Sequence, residues 1–319
     1  MRVLITGVSG FVGGHAVDFF RARNAEVVGL DSRPGNRARA LGIEVLRADL
    51  MDAPAVSAAV ARARPDRILH LAAQSSPRRS LEDPAGTLGT NVLGLLNLLE
   101  AVCGQGLAPR VLVVGSAEEY GQVDPARLPL REDAPLRPLT PYAVSKIAQS
   151  HLALQYALTG RVAAVRTRTF HHTGPRRGEG FAESSFARQI AEIEAGRRPP
   201  VLAVGNLEAV RDFTDVRDVV RAYGLLLEAG EAGAVYNVCS GHGLRLGDLL
   251  DALLRLARVP VEVRVDPARL RPSDVPAVVG DPGRLRALTG WEPAIPLATT
   301  VRDLLDHWRE RVATTPAPA

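Results

Sequence analysis

Arg2-Val3-Leu4-Ile5-Thr6-Gly7-Val8-Ser9-Gly10-Phe11-Val12-Gly13 decides the fold. A short apolar strand runs into a glycine-rich turn, after which Val12, Ala16, Phe19 and Phe20 recur at helical spacing. The glycines permit a tight turn and close backbone approach, while the helix start offers free N–H groups and a positive dipole end. The stretch therefore predicts a dinucleotide site in which Gly7, Gly10, Phe11, Val12 and Gly13 cradle a pyrophosphate.

The alternation continues along the chain. Residues 26–30, 43–46, 67–71, 110–114 and 163–166 read as further strands. Between them Val92, Leu95, Leu96, Leu99 and Val102 mark one helix, and Thr140-Pro141 supplies the cap and first-turn proline of another. The pattern predicts an α/β fold, a doubly wound parallel sheet of Rossmann type. Past about residue 170 glycine and proline accumulate at 174–180 and 196–200, which predicts a smaller, loop-rich C-terminal substrate domain. The expected division gives 1–169 and about 210–240 to the NAD(P)-binding domain and about 170–209 and 241–310 to the ligand domain. A frayed tail is expected over 311–319.

Composition narrows the class. The chain has 319 residues, 46% hydrophobic and 23% charged, enough for a real core. A net charge of +4 without a basic run argues against nucleic-acid binding, which needs clustered charge. No apolar run approaches about 18 residues, so no membrane is expected and a soluble cytoplasmic protein is. Cys103 and Cys239 lie in apolar patterns and read as buried free thiols, and no spacing of His or Cys suggests a metal.

Asp31 ends the second strand, where a carboxylate accepts ribose hydroxyls and repels a 2′-phosphate, which favours NAD. Arg33 and Arg37 follow closely enough to leave NADP possible. Asp49 and Leu50 follow the third strand and are candidates to border the adenine. The most informative pair is Tyr142 and Lys146, four apart on one helix face. Of 39 Lys+Arg, Lys146 is the sole lysine, and with five tyrosines in 319 residues the chance of this spacing is about 2%. An ammonium beside a phenol favours the phenolate, so the tyrosine pKa is expected to fall. Ser116, at the end of the fifth strand, can hold a substrate carbonyl opposite Tyr142. Glu118 reads equally as a base near that point or as a solvated turn charge.

Gly7-x-x-Gly10-x-x-Gly13, the Ser116…Tyr142-x-x-x-Lys146 set and His70-Leu71-Ala72-Ala73 resemble the extended short-chain dehydrogenase/reductases that act on nucleotide sugars. The stretches 114–121, 204–216, 236–241 and 271–276 are similar to the branch that works on GDP-mannose derivatives, the GDP-4-keto-6-deoxy-D-mannose reductases and GDP-mannose 4,6-dehydratases. The resemblance implies Ser116, Tyr142 and Lys146 as the catalytic set, and Leu71, Ala72 and Ala73 beside the dinucleotide. It further implies Arg211 and Arg271 on the diphosphate of a GDP-sugar, Ser75 near the hexose, and a homodimer that pairs the helices at about 91–103 and 141–158. Reduction at C4 of a 4-keto-6-deoxy sugar nucleotide is the expected reaction. The alternatives are a dehydratase or epimerase that retains NAD, with Glu118 as a C5 base, and a non-catalytic nucleotide-sensing module.

Two positions depart from the family pattern. His171 stands where the family has asparagine in Asn-His-Thr-Gly-Pro, which alters a substrate contact, and His171-His172 has no third ligand for a metal. Asp31-Ser32-Arg33 replaces the Thr/Ser-Arg of NADP-using relatives.

Overall fold

The computed structural model describes residues 1–35, 40–270 and 275–315. The chain opens with β1 (Arg2–Thr6), α1 (Phe11–Arg21), β2 (Glu26–Asp31), β3 (Glu44–Arg47), α2 (Ala53–Ala63) and β4 (Arg67–His70). Helices α3 (Pro77–Glu82) and α4 (Pro84–Leu88) and a π turn (Gly89–Leu93) lead into α5 (Gly94–Gly104), followed by β5 (Arg110–Ser116), α6 (Pro141–Leu158) and β6 (Ala163–Thr169). Then come β7 (His171–Thr173), α7 (Ala182–Glu194), β8 (Val201–Val204), β9 (Val210–Asp215), α8 (Val216–Ala229) and β10 (Val235–Val238). The chain closes with β11 (Gly243–Arg245), α9 (Leu246–Leu254), β12 (Glu262–Val265), β13 (Ala277–Val278), α10 (Gly283–Thr289) and α11 (Leu297–Thr314).

Seven parallel strands form the large sheet in the order β10-β6-β5-β4-β1-β2-β3. Both faces are covered, which is why its strands read as continuous apolar runs rather than alternating ones. Val3, Ile5, Leu112 and Val165 pack under α1 and α8, and Leu4, Ile68, Val111 and Val113 pack under α2, α5 and α6. Strand order reverses between β1 and β4, so a crevice opens at the carboxyl ends there.

A second unit gathers around β9, which pairs with β7, β11 and β13. Helices α7, α9 and α11 bury Phe186, Ile190, Leu250, Leu304 and Trp308 together. A small cluster of Ala117, Tyr120, Phe170, Cys239 and Val278 joins the two units. The chain crosses back to the large sheet with α8 at Val216, slightly after the 210 expected. The tail expectation needs correcting: α11 runs through Thr314, because Val312 is buried one turn beyond Trp308. Both cysteines are free, Cys239 buried and Cys103 only half-buried. Among the described residues one helical stretch, Pro84–Gly104, is long and apolar enough to cross a membrane, and Leu95, Leu98 and Leu99 of that stretch are core residues.

At the first turn Gly7 has φ +67°, and a Cβ on Gly13 would stand 2.3 Å from the Val8 carbonyl oxygen. Backbone cannot yield as a side-chain tip can, so Gly13→Ala is expected to destabilise by about 1–3 kcal/mol. Gly104→Ala, which meets open space, should leave the thermal midpoint unchanged, and thermal denaturation of the two variants makes the comparison.

Candidate active site

The glycine turn lies at the crevice. Gly10 caps α1 with no side-chain hydrogen bond, so no side chain competes for the amides of the first turn. The Gly7 amide donates to the Leu30 carbonyl at 2.8 Å, and a Cβ on Gly7 would lie 2.8 Å from Ala72 Cα. Thr6 Oγ1 accepts the Ala72 amide at 3.1 Å, which ties the β1 and β4 turns together. At the end of β2, Asp31 accepts the Ser9 amide at 3.2 Å and the Arg33 amide at 3.0 Å. Asp49 accepts the Met51 amide at 3.0 Å, and Asn97 donates to the Leu50 carbonyl at 2.7 Å. Gly7, Gly10, Gly13, Asp31, Asp49, Leu50, Leu71, Ala72 and Ala73 thus line the carboxyl ends of four neighbouring strands. A cradle that a Cβ would fill, an uncapped helix start and a strand-end carboxylate together fit a dinucleotide.

Ser116 ends β5 and caps a short turn (Ala117–Glu119), its Oγ accepting the Glu118 amide at 3.2 Å. Thr140 caps α6 by accepting the Ala143 amide at 3.1 Å, which starts the helix so that Tyr142 falls in its first turn. Ser116 lies close enough to Tyr142 for its hydroxyl to act on the phenol, opposing the rise in its pKa. Lys146 Nζ donates to the Val114 carbonyl at 2.9 Å and lies 5.9 Å from the Tyr142 ring centroid.

The electrostatics correct the sequence reading of the tyrosine. Burial pushes the Tyr142 phenol up rather than down, with Glu118 and Glu119 adding to the rise and Ser116 and Arg177 opposing it. Helical spacing fixes Lys146 as a neighbour but says nothing of the burial that dominates. Burial depresses Lys146 to about 8, against the pull of Glu119. Burial thus holds the phenol in its protonated form, the form a proton donor must have.

One residue at this edge carried no motif. Asn91, fully buried in the π turn, accepts the Gln74 amide at 2.7 Å and donates to Ser145 Oγ at 2.8 Å, and Ser145 in turn donates to the Tyr142 carbonyl at 2.7 Å. A lone amide within an apolar helical pattern was the available signal. His70 joins Thr6 Oγ1 at 2.9 Å to Gln149 Nε2 at 3.3 Å, and burial, with Lys146 nearby, holds it down at about 3.

The segment after β6 closes over the glycine turn. His172 stacks on Phe11 with centroids 5.9 Å apart, and burial holds it down at about 4. Arg177 lies over the Phe181 ring at 3.4 Å and the Phe11 ring at 4.8 Å, pairs with Glu183 at 3.4 Å, and its charge acts on Tyr142. His171 packs against Phe213 of β9 at 5.6 Å. Among the described residues no group of three His, Cys, Asp or Glu could hold a metal.

The substrate-side residues are spread more widely. Ser75 is exposed beyond β4. Arg211 sits on β9 between β11 and β13, donating to the Val210 carbonyl at 2.9 Å. Arg271 and Arg37 lie outside the described residues. A cleft of about 690 Å³ opens elsewhere, between α1, α8 and α11, lined by His15, Asp18, Arg217, Asp303 and His307 and by none of Ser116, Tyr142 or Lys146.

The GDP-mannose 4,6 dehydratase family profile matches residues 4–304. The chain belongs to this family. It is 39% identical over 311 residues to GDP-6-deoxy-D-mannose reductase of Pseudomonas aeruginosa, covering 98% of each chain. It is 30% identical over 325 residues to GDP-mannose 4,6 dehydratase 2 of Arabidopsis thaliana, covering 95% of this chain and 86% of that one. Among solved structures, RMD from Pseudomonas aeruginosa complexed with NADPH superposes with a TM-score of 0.86 at 37% identity, over 98% of this chain and 100% of that one. UDP-glucose 4-epimerase of Thermus thermophilus with NAD gives a TM-score of 0.86 at 34% identity, over 97% and 99%.

His70 and His172 make stability fall with acid. Unfolded histidines take up protons near 6.5, whereas the folded ones stay neutral down to about 3 and about 4. Their share of stability is complete above pH 6.5 and is lost as pH falls toward 4, by about 1.4 kcal/mol per pH unit for each. Urea unfolding from pH 7.5 to 4.5 should show this slope, and His172→Phe should remove one histidine's share.

Proposed function

We propose that this protein reduces the C4 keto group of GDP-4-keto-6-deoxy-D-mannose with a nicotinamide cofactor, giving GDP-D-rhamnose. The observation that carries the chemistry is the buried, protonated Tyr142 phenol beside Ser116, with Lys146 held on the Val114 carbonyl next to it. The substrate class rests on the likeness to the Pseudomonas aeruginosa reductase.

Gly7, Gly10, Phe11, Val12, Gly13, Asp31, Asp49, Leu50, Leu71, Ala72 and Ala73 would hold the dinucleotide, with Lys146 toward the nicotinamide ribose. The reduced nicotinamide, when bound, supplies a hydride to C4. Ser116 orients the carbonyl oxygen. Tyr142 donates its proton to that oxygen, which completes the alcohol and leaves a phenolate stabilised by the Lys146 ammonium. Arg211 and Arg271 supply the fork geometry that suits a diphosphate, and Ser75 and His171 serve the sugar. Asp31 favours NAD, because a carboxylate at that strand end repels a 2′-phosphate.

A second reading, 4,6-dehydration with retained NAD, is favoured by Glu118, whose charge reaches Tyr142 where a C5 base would be needed. A dehydratase turns over GDP-mannose without added cofactor, whereas a reductase consumes stoichiometric NADH or NADPH. We also propose a homodimer through α5 and α6, whose flank exposes Leu88, Leu93, Val144 and Leu158. Light scattering after gel filtration should give twice the chain mass, and Leu93→Asp/Val144→Asp should give a monomer.

With the 4-keto substrate and NADH, Tyr142→Phe should lower kcat by about 10²–10⁴-fold at an unchanged thermal midpoint. Full turnover by that variant would remove Tyr142 from the mechanism.

A further inference from the structure

Beneath the catalytic edge, Gly115 leaves a space that a side chain would fill: a Cβ there would stand 2.4 Å from Glu119 Oε1 and 2.2 Å from the Thr167 carbonyl oxygen. Glu119 occupies that space and is fully buried. Its Oε1 accepts the Ser116 amide at 2.9 Å, and its Oε2 accepts Arg168 Nε at 3.1 Å. Arg168 is held in turn, its Nη1 donating to the Glu132 carbonyl at 2.8 Å and to the Tyr120 hydroxyl at 3.2 Å. One residue earlier on β5, the Val114 carbonyl takes the Lys146 ammonium at 2.9 Å. Ser116 and Lys146 are thus fixed to residues 114 and 116, with a buried carboxylate under residue 115.

The groups facing Lys146 come from three elements. Its own helix contributes Tyr142, β4 contributes His70, and the turn after β5 contributes Glu119. Burial keeps both Tyr142 and His70 uncharged at neutral pH. Glu119 is the charge that favours the ammonium against burial. Burial also raises Glu119, and Arg168, the Ser116 amide and Lys146 act against that rise. Glu118, one residue earlier, also acts on Tyr142 but is not among the charges that act on Lys146.

We propose that Glu119 is a positioning residue for the reaction at Tyr142: clamped by Arg168, its carboxylate fixes the Ser116 end of β5 and sets a fixed negative charge beneath the strand end that holds Lys146. The role rests on the proposed catalytic set. It places a second carboxylate beside Glu118 at this edge, one that acts through two residues of the proposed catalytic set. Of the two candidate carboxylates in Ala117-Glu118-Glu119, the solvent-side one suits proton chemistry and the buried one suits a fixed field.

The sole lysine makes the test direct. Protein labelled with carbon-13 lysine gives a single side-chain ε-carbon signal, since Lys146 is the one lysine among 39 Lys+Arg, and its titration needs no turnover. The wild-type midpoint is expected near 8. Glu119→Gln keeps an acceptor for the Ser116 amide and removes the charge, so the midpoint should fall by about one unit or more. The basic limb of kcat/KM should move down with it, while KM for the sugar nucleotide changes by less than about twofold. Glu119→Gln/Arg168→Met removes the guanidinium that the single change strands in the interior. It should recover thermal stability while its Lys146 midpoint stays low. A midpoint that does not move in either variant overturns the proposal, as does one that returns to the wild-type value in the double variant. Lack of activity on the 4-keto substrate would sink the proposed function, yet the lysine titration would still decide the role of Glu119.

Discussion

The hydrogen bond from Lys146 Nζ to the Val114 carbonyl, 2.9 Å long, is the constraint on which the candidate active site depends. A buried ammonium without an acceptor is costly, so the bond pins the first turns of α6 against the end of β5. That end is available because β4 stops pairing at Val113, while β6 continues to Ser116. Beyond Val113, β5 has a ladder on one side only. The same mismatch in strand length leaves the Val114 carbonyl without a partner on β4. With Lys146 fixed there, Tyr142 one helical turn before it is brought to the end of β5 beside Ser116.

Buried carboxylates fasten both sides of the cleft. On the large-sheet side Glu119 joins Ser116 to Arg168. On the small-sheet side Asp212, fully buried on β9, accepts the amides of Ser240 at 2.8 Å, Gly241 at 3.0 Å and Gly280 at 3.2 Å, and the Ser240 hydroxyl at 2.6 Å. Four donors on one carboxylate offset the cost of burying it, and they draw the 240 loop and the approach to α10 onto the strand that carries Arg211. A buried charge of this kind contributes little net stability compared with an apolar replacement. What it supplies is a single geometry, since no other placement satisfies so many donors at once.

The strands, the glycine turn and the Tyr142–Lys146 pair were legible because their signals are local: period, turn chemistry and a spacing of four. The buried polar contacts were not, because their partners are distant in the chain. Glu119 and Arg168 are separated by 49 positions and Asp212 and Gly280 by 68, and neither member of a pair carries a pattern that points to the other. The sign of the Tyr142 shift failed for a related reason. Spacing along a helix names neighbours, but the burial that raises the phenol comes from other elements packed over it. The end of α11 was misjudged because the last turn holds one core contact, Val312, in an otherwise polar run. Arg177 fell in the glycine- and proline-rich stretch 174–180 and His172 in a histidine pair without a third metal ligand, and only the fold reveals that both rest on Phe11 at the start of α1.

The contrast between arginine and lysine then acquires a physical reading. Where the interior holds other cations, it holds arginines whose forks reach several fixed acceptors. Arg166 donates to the Gly233 carbonyl at 2.6 Å and to Ser150 Oγ at 3.1 Å, and Arg168 bonds Glu119, Tyr120 and the Glu132 carbonyl. Such a group keeps its charge at any working pH and serves as a strut. At position 146 the acceptor is one carbonyl and the neighbour is a phenol that, in the proposed reaction, changes its charge. A compact ammonium fits that space, meets the new negative charge at close range, and has a proton affinity that its surroundings can tune. An arginine there would bring a planar fork with donors left unmatched in a dry site. A chain that otherwise writes every cation as arginine therefore has a physical reason to keep its one lysine at this edge.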